Sequence, residues 1–349
     1  MPPLLPLQAF PQIEMPPLRP NEKLITSIIK GNKKEISNLP EPIPEQFIKI
    51  NHLTTILRDM GFQIPFSSSL TNDIFILTEV SRIIHELENS GISAVVIKSI
   101  PTISKPIGDV DILVDDLEKA GEILTNNSYD VKGSYPNSHK LIGLSRIDGI
   151  LVNIHLHGEI AWRRVIYLNS KDVINSATQR VFHGMSFPVP SPEFEILITS
   201  AHMLHERGNM RISLHNVLEF SDLFSYKNIS IPLLFDIASQ NGWGESLLLF
   251  LKSANAIHYQ CFHENLSISE PDFFNSKTIL PYNPFFFNWT FSIKTMALIR
   301  FRKLFYDFTS KDFNSATNDL RAYPFDILKV ITERYGIVNT KRRLYRRWI

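Results

Sequence analysis

Val95-Val96-Ile97-Lys98-Ser99 and, after a short polar loop, Gly108-Asp109-Val110-Asp111-Ile112-Leu113-Val114 set two carboxylates at the mouth of an otherwise apolar strand. Desolvating two like charges beside buried backbone is unfavourable unless a cation or a hydrogen-bond network offsets it. Residues i and i+2 of a strand share one face and lie about 6.6 Å apart along the backbone. Asp109 and Asp111 can therefore converge on one ion while Val110 and Ile112 face a core. Magnesium takes oxygen ligands, keeps several waters and binds through one or two carboxylates plus substrate phosphates. The pair thus reads as a metal site serving a nucleoside triphosphate. The plainer reading, a turn cap at Asp109 and a wet strand end at Asp111, stays open at this point.

Working outward, the apolar residues Ile76, Val80, Ile83, Ile84 and Leu87 follow a helical stripe that stops at Gly91. Strands are predicted at Ala94 to Ile97 and Ile107 to Val114. A helix opens at Asp115-Asp116 and runs to Asn126-Asn127. Three more short strands, Tyr129 to Lys132, Lys140 to Leu144 and Gly149 to Leu156, are separated by Gly133-Ser134, Pro136-Asn137 and Asp148-Gly149. The fold class is α/β (α+β): a small mixed sheet with flanking helices, followed by a mainly helical part.

Gln179 to Pro188 reads as a last strand, and Ser191-Pro192-Glu193 opens a helix with serine at the cap and proline at the first turn. Helices are expected at Pro192 to Arg207, Ile212 to Phe224, Ile231 to Gln240, Glu245 to Tyr259, Phe291 to Phe305 and Phe325 to Arg334. Before the core, Glu22 to Lys30 and Pro44 to Met60 are helical candidates among proline-marked extended pieces. The expected division is an N-terminal accessory arm over 1–65, a core over 66–170 and a helical domain over 171–349.

The 349 residues exceed the usual size of a single core. With 36 Lys and Arg against 35 Asp and Glu, a globally basic nucleic-acid binder and an acidic disordered chain are both disfavoured. The lone cysteine, Cys261, makes no intrachain disulfide, which suits a reducing cytoplasm. Met1-Pro2-Pro3-Leu4-Leu5-Pro6 lacks the basic start of a secretory signal. No window reaches about 18 uncharged apolar residues, so no membrane span is expected. The run from Lys341 to Trp348 is a basic tail, with no acid after Glu333. Either it is a solvated end or it touches an anionic partner. Dinucleotide-fold, P-loop, serine-hydrolase and zinc-protease signatures do not occur.

A strand ending in Lys98-Ser99, a loop with Lys105, the Gly108-Asp109-Val110-Asp111 strand and a later Asn153-Ile154-His155 resemble the DNA-polymerase-beta-like nucleotidyltransferase superfamily. Within it the chain is similar to the branch of uncharacterised minimal nucleotidyltransferase-like proteins, over roughly residues 71 to 170 and more loosely the histidine-containing helix from Pro192. The resemblance implies transfer of a nucleoside monophosphate from a nucleoside triphosphate to an unidentified acceptor, whether small molecule, RNA or protein, with Mg2+ or Mn2+ as cofactor. It makes Asp109 and Asp111 the metal ligands and, with Asn153 and His155, the catalytic group. Lys98, Ser99, Lys105, Gly108 and Arg163 become nucleotide-binding residues.

Two departures stand out. Ser99 occupies a position where that branch usually has glycine, and Asn153 stands where a third carboxylate usually lies, an amide that cannot act as a general base. Glu159 is the nearest acid that could substitute. His155 and His157 either accept a proton or line the sheet. The alternative reading is a catalytically silent member that binds a nucleotide, RNA or protein. Trp162 either stacks on a base or packs the domain junction. His202 and His205, three residues apart on a helix, are an outside metal pair or a polar contact.

Overall fold

A computed structural model of the chain describes residues 70–102, 107–134, 137–162, 165–206, 211–212, 214–225, 229–262, 282–283, 288–290 and 293–309. It also describes 53–60 and the single residues Ile48, Phe62, Leu266, Thr317 and Leu320. The helices expected at Glu22 to Lys30 and Phe325 to Arg334, together with the basic tail, lie outside the described residues.

A short helix α1 (Thr54–Asp59) precedes the 20-residue α2 (Leu70–Asn89). Five strands then form one mixed sheet. β1 (Ala94–Ile97) and β2 (Asp109–Val114) are antiparallel, and α3 (Leu117–Asn126) follows them, capped by the Asp116 carboxylate accepting from the Lys119 amide. β3 (Asp130–Ser134), β4 (Asn137–Ile147) and β5 (Ile150–His157) make an antiparallel meander. Its last strand inserts parallel to β2, giving the order β1-β2-β5-β4-β3.

Alternation divides the sheet into two unlike faces. Val96, Val110, Ile112, Val114, Val152, Ile154 and Leu156 turn to one side and join Leu77, Val80 and Leu87 of α2 and Ala120 and Leu124 of α3 in one buried cluster. Val95, Ile97 and Leu113 turn to the other side and join a second cluster containing Leu197, Ile198, Leu204, Phe220 and Phe250. That second cluster spans β1 and β2 only. Farther along the same face, β2 carries Asp111 and Asp109 and β5 carries His157, His155 and Asn153, with Lys140 of β4 beside His157.

The β4–β5 connection shows how local chemistry fixes this register. Asp148 and Gly149 have φ of 50° and 80°, the pair of left-handed residues that a two-residue hairpin requires, and they bring Ile147 opposite Ile150. Counting outward from that turn places Lys140 opposite His157.

Beyond the sheet, β6 (Ile160–Trp162) and β7 (Val165–Leu168) form a hairpin that local patterning does not announce. After α4 (Ser170–Asn175), the segment expected as a single strand over Gln179 to Pro188 is instead a hairpin of β8 (Thr178–Phe182) and β9 (Met185–Val189). Its turn, His183 at φ 49° and Gly184 at φ 79°, uses a histidine in the left-handed region, where asparagine or aspartate is the usual signal.

Helix α5 (Pro192–Ala201) stops short of the expected Arg207 and passes into a π-helical turn over His202–Glu206. The Ser191 hydroxyl, expected to cap it, donates to the Glu193 carboxylate. There follow β10 (Arg211–Ile212), α6 (Leu214–Ser225), α7 (Ile231–Gln240), α8 (Gly244–Phe262), β11 (Tyr282–Asn283), β12 (Asn288–Thr290) and α9 (Ile293–Thr309); β10, β12 and β11 pair as a small sheet. No described helix is long and apolar enough to cross a membrane.

Ile112 is fully buried on the strand that carries both aspartates. Ile112→Ala is expected to lower the unfolding free energy by about 3 kcal/mol. Urea denaturation monitored by circular dichroism reads this as a lower midpoint with an unchanged slope.

Candidate functional site

The site is the polar end of the sheet's second face. Parallel register sets Asp109 beside Asn153, Asp111 beside His155 and Leu113 beside His157. Antiparallel register then sets Lys140 beside His157. Directly paired residues share a face, so two strands of aspartates and histidines and one lysine project together. Asp109 forms the rim, its side chain 56% exposed, while Asp111 forms the floor at 12%.

The Asp111 carboxylate is the hub. Its Oδ1 lies 2.7 Å from His157 Nε2, 3.3 Å from His155 Nδ1 and 3.7 Å from Lys140 Nζ. Its Oδ2 lies 3.3 Å from Lys98 Nζ. Burial by itself would push this carboxyl up. The Lys98 ammonium and the His157 imidazole outweigh that and hold it well below the usual carboxylate range. His157 moves the other way: burial dominates, and despite Asp111 the imidazole is pushed down to about 4. At neutral pH His157 is therefore an uncharged N–H donor to Asp111, and the compensating charge comes from the lysines.

Lys98 reaches Asp111 because the chain bends sharply at the end of β1. Its φ of 59° is left-handed, a conformation that costs a β-carbon-bearing residue about 1 kcal/mol. The residue in the strained position is thus the lysine, and Ser99 has another task. The Ser99 hydroxyl donates to the Ile97 carbonyl at 3.1 Å and accepts the Asp111 amide at 2.9 Å, so it ties the end of β1 to the middle of β2. One residue on, the Ile100 carbonyl accepts from Arg180 of β8, whose guanidinium also grips Glu195 of α5 with two bonds of 2.7 and 2.5 Å. The turn that presents Lys98 is braced from both sides.

His155 Nδ1 stands 3.2 Å from Asp109 Oδ2 and 3.3 Å from Asp111 Oδ1. This nitrogen is buried and makes no aligned hydrogen bond among the described residues, and the same holds for Asn153 Oδ1. The three potential ligand atoms of Asp109, Asp111 and His155 all lie within 4.8 Å of one another. A divalent ion would satisfy the orphaned nitrogen and both carboxylates at once, so the residues present fit a metal.

Of the residues singled out in the sequence, Lys98, Ser99, Asp109, Asp111, Asn153 and His155 are gathered here, with Gly108 exposed at the rim. Lys105 and Arg163, and the side chains of Trp162 and His205, lie outside the described residues. Glu159 and His202 line a cavity of about 30 Å³ behind Lys98 and His157, together with Tyr167 and Ile198. Room for about two waters is available there, not for a nucleotide. Lys140 escaped sequence reasoning, although the Asp148-Gly149 turn, counted outward, points to it.

A mixed sheet with an Asp-apolar-Asp strand beside a parallel strand of polar residues and histidines, clad in helices, defines a nucleotidyltransferase-like protein. The chain belongs to the family described as uncharacterised nucleotidyltransferase, whose sequence model matches residues 67–258. Among solved structures, an antigenic nucleotidyltransferase-like protein from Paracoccidioides brasiliensis is similar to it at 18% identity and a TM-score of 0.30, over 45% of this chain and 76% of that one. Comparison with curated proteins finds no match.

The depressed His157 fixes a pH dependence for the metal-free protein. Between pH 6.5 and 4 the unfolded chain takes a proton that the folded one refuses, so stability rises with pH across that window and is lost as pH falls through it. The loss attributable to His157 is about 3 kcal/mol. Denaturant unfolding at a series of pH values reads it, and His157→Gln, which keeps an N–H donor without titrating, is expected to flatten the slope.

Proposed function

We propose that the chain transfers a nucleoside monophosphate from a nucleoside triphosphate to an acceptor hydroxyl. In this reaction the acceptor oxygen attacks the α-phosphorus, the bond to the β-phosphate oxygen breaks, pyrophosphate leaves and the acceptor's proton passes to water or a nearby base. The observation that carries the reading is the placement of Asp109 and Asp111 on one face of β2 against His155 of β5, in a chain of the nucleotidyltransferase family. In this reading residues 66–170 form the core, and the helices after 171 wall the cleft.

Asp109 and Asp111 would hold a divalent cation, Mg2+ or Mn2+, whose chemistry is to neutralise triphosphate oxygens and stabilise charge on the attacking and leaving oxygens. The chain's own groups do the rest. Lys98, held toward the floor by its left-handed bend, would offer its ammonium to a substrate phosphate. Gly108 at the exposed rim lets a phosphate approach the backbone beside Asp109. Lys105 and Arg163, outside the described residues, are assigned to the same phosphate-binding role from the sequence alone. Ser99 keeps the Asp111 amide fixed, so the carboxylate does not shift as charge develops. The small cavity behind Lys98 is sized for water, so the nucleotide enters from the Asp109 side.

Asn153 favours one rival. Its register position beside Asp109 supplies a neutral amide where an acid would take a proton, as in a silent member that only binds nucleotide, RNA or protein. Pyrophosphate release with each of the four common triphosphates, in Mg2+ and in Mn2+, decides between them. Asp109→Asn and Asp111→Asn are each expected to lower release by about 100-fold or more. Absence of release from the unaltered chain, appearing with Asn153→Asp, would establish the rival instead.

A further inference from the structure

We propose that His155 is a direct metal ligand through Nδ1, filling with nitrogen the place that Asn153 leaves uncharged, and that the centre consequently selects Mn2+ over Mg2+. This rests on the nucleotidyltransferase reading for where the ion sits, and goes beyond it in naming the third ligand and the ion.

Three observations converge. First, a ring nitrogen 3.2 and 3.3 Å from two carboxylate oxygens would ordinarily donate to one of them. His155 Nδ1 is aligned with neither and, among the described residues, has no other partner. Held almost equally far from two anionic oxygens, that nitrogen borders a position that one cation could share with both carboxylates. Second, the spacing matches coordination. An ion with bonds of about 2.1 Å sets adjacent ligand atoms about 3.0 Å apart in an octahedron and about 3.4 Å apart in a tetrahedron, and both observed edges fall between. Third, Asn153, in register with Asp109, carries a buried amide oxygen that is also unpartnered. It can add a neutral oxygen to the shell and no charge.

The neighbouring groups leave that position to His155. His157 is engaged with Asp111 at 2.7 Å and lies outside the three-atom group. Lys98 approaches Asp111 through Oδ2, whereas Oδ1 is the oxygen that faces His155. Among the described residues Lys140 is the one cation on the Oδ1 side, at 3.7 Å, too long for a hydrogen bond and within reach of swinging aside.

Ligand chemistry then chooses the ion. Magnesium demands oxygen and sheds water reluctantly. Imidazole is accepted by first-row transition ions, and among these Mn2+ keeps the oxygen preference that two carboxylates and a triphosphate call for.

The test uses the full chain, stripped of metal by chelation and without nucleotide, titrated with Mn2+ and followed by electron paramagnetic resonance, with Mg2+ as competitor. Mn2+ is expected to bind at least about tenfold more tightly than Mg2+, and His155→Gln to lower Mn2+ affinity by about tenfold or more while moving Mg2+ affinity by less than about threefold. Electron spin echo modulation adds a readout taken first on the unaltered protein, where no variant needs to fold. A nitrogen coupling on Mn2+ is expected in the unaltered protein and in His157→Gln, and is expected to vanish in His155→Gln. Mn2+ that binds through Asp109 and Asp111 without a nitrogen coupling would overturn the proposal and leave nucleotidyl transfer standing. A nitrogen-coupled Mn2+ in a chain that releases no pyrophosphate would uphold this ligand and overturn the transfer reading.

Discussion

A buried anion, the Asp111 carboxylate, is the constraint around which this sheet is organised. Taking such a group out of water costs several kcal/mol unless charge and hydrogen bonds replace the solvent. Here the replacement comes from three directions: Lys98 at the end of β1, Lys140 on β4 and His157 on β5. Each is usable in one strand register alone, because a slip of one residue would send it through the sheet into the apolar cluster of α2 and α3. The polar face thus specifies the pairing of strands that the apolar face stabilises.

How far this was legible follows from the range of each interaction. The Asp-apolar-Asp strand, the helix capped at Asp116 and the helix from Ile231 to Gln240 are written in local periodicity and end signals, and they stand where the sequence placed them. Joining Asp109 and Asp111 to Asn153 and His155 required a parallel pairing across more than forty residues. There the acid-apolar pattern and the family resemblance supplied what periodicity alone could not.

Where the reading failed, a local cue was overridden or absent. The β8–β9 turn uses His183 in a conformation that histidine rarely signals. The Ser191 hydroxyl found Glu193 before it found the helix amides. At the end of β1 attention fell on Ser99, whereas the left-handed residue is Lys98. A lysine in that conformation stores strain that the Asp111 ion pair and the Arg180 brace hold in place.

The insertion of β5 between β2 and β4 carries a kinetic meaning. Both aspartates are synthesised well before their histidines, because α3, β3 and β4 lie between β2 and β5 in the chain. Parallel closure over such a span is slow, since the entropy of the loop is lost before any contact is gained. A nascent chain that has emerged only as far as Gly149 therefore carries both aspartates and both lysines of the polar face but neither histidine. The face that gathers Asp109, Asp111 and His155 is complete only once β5 has zipped into the sheet.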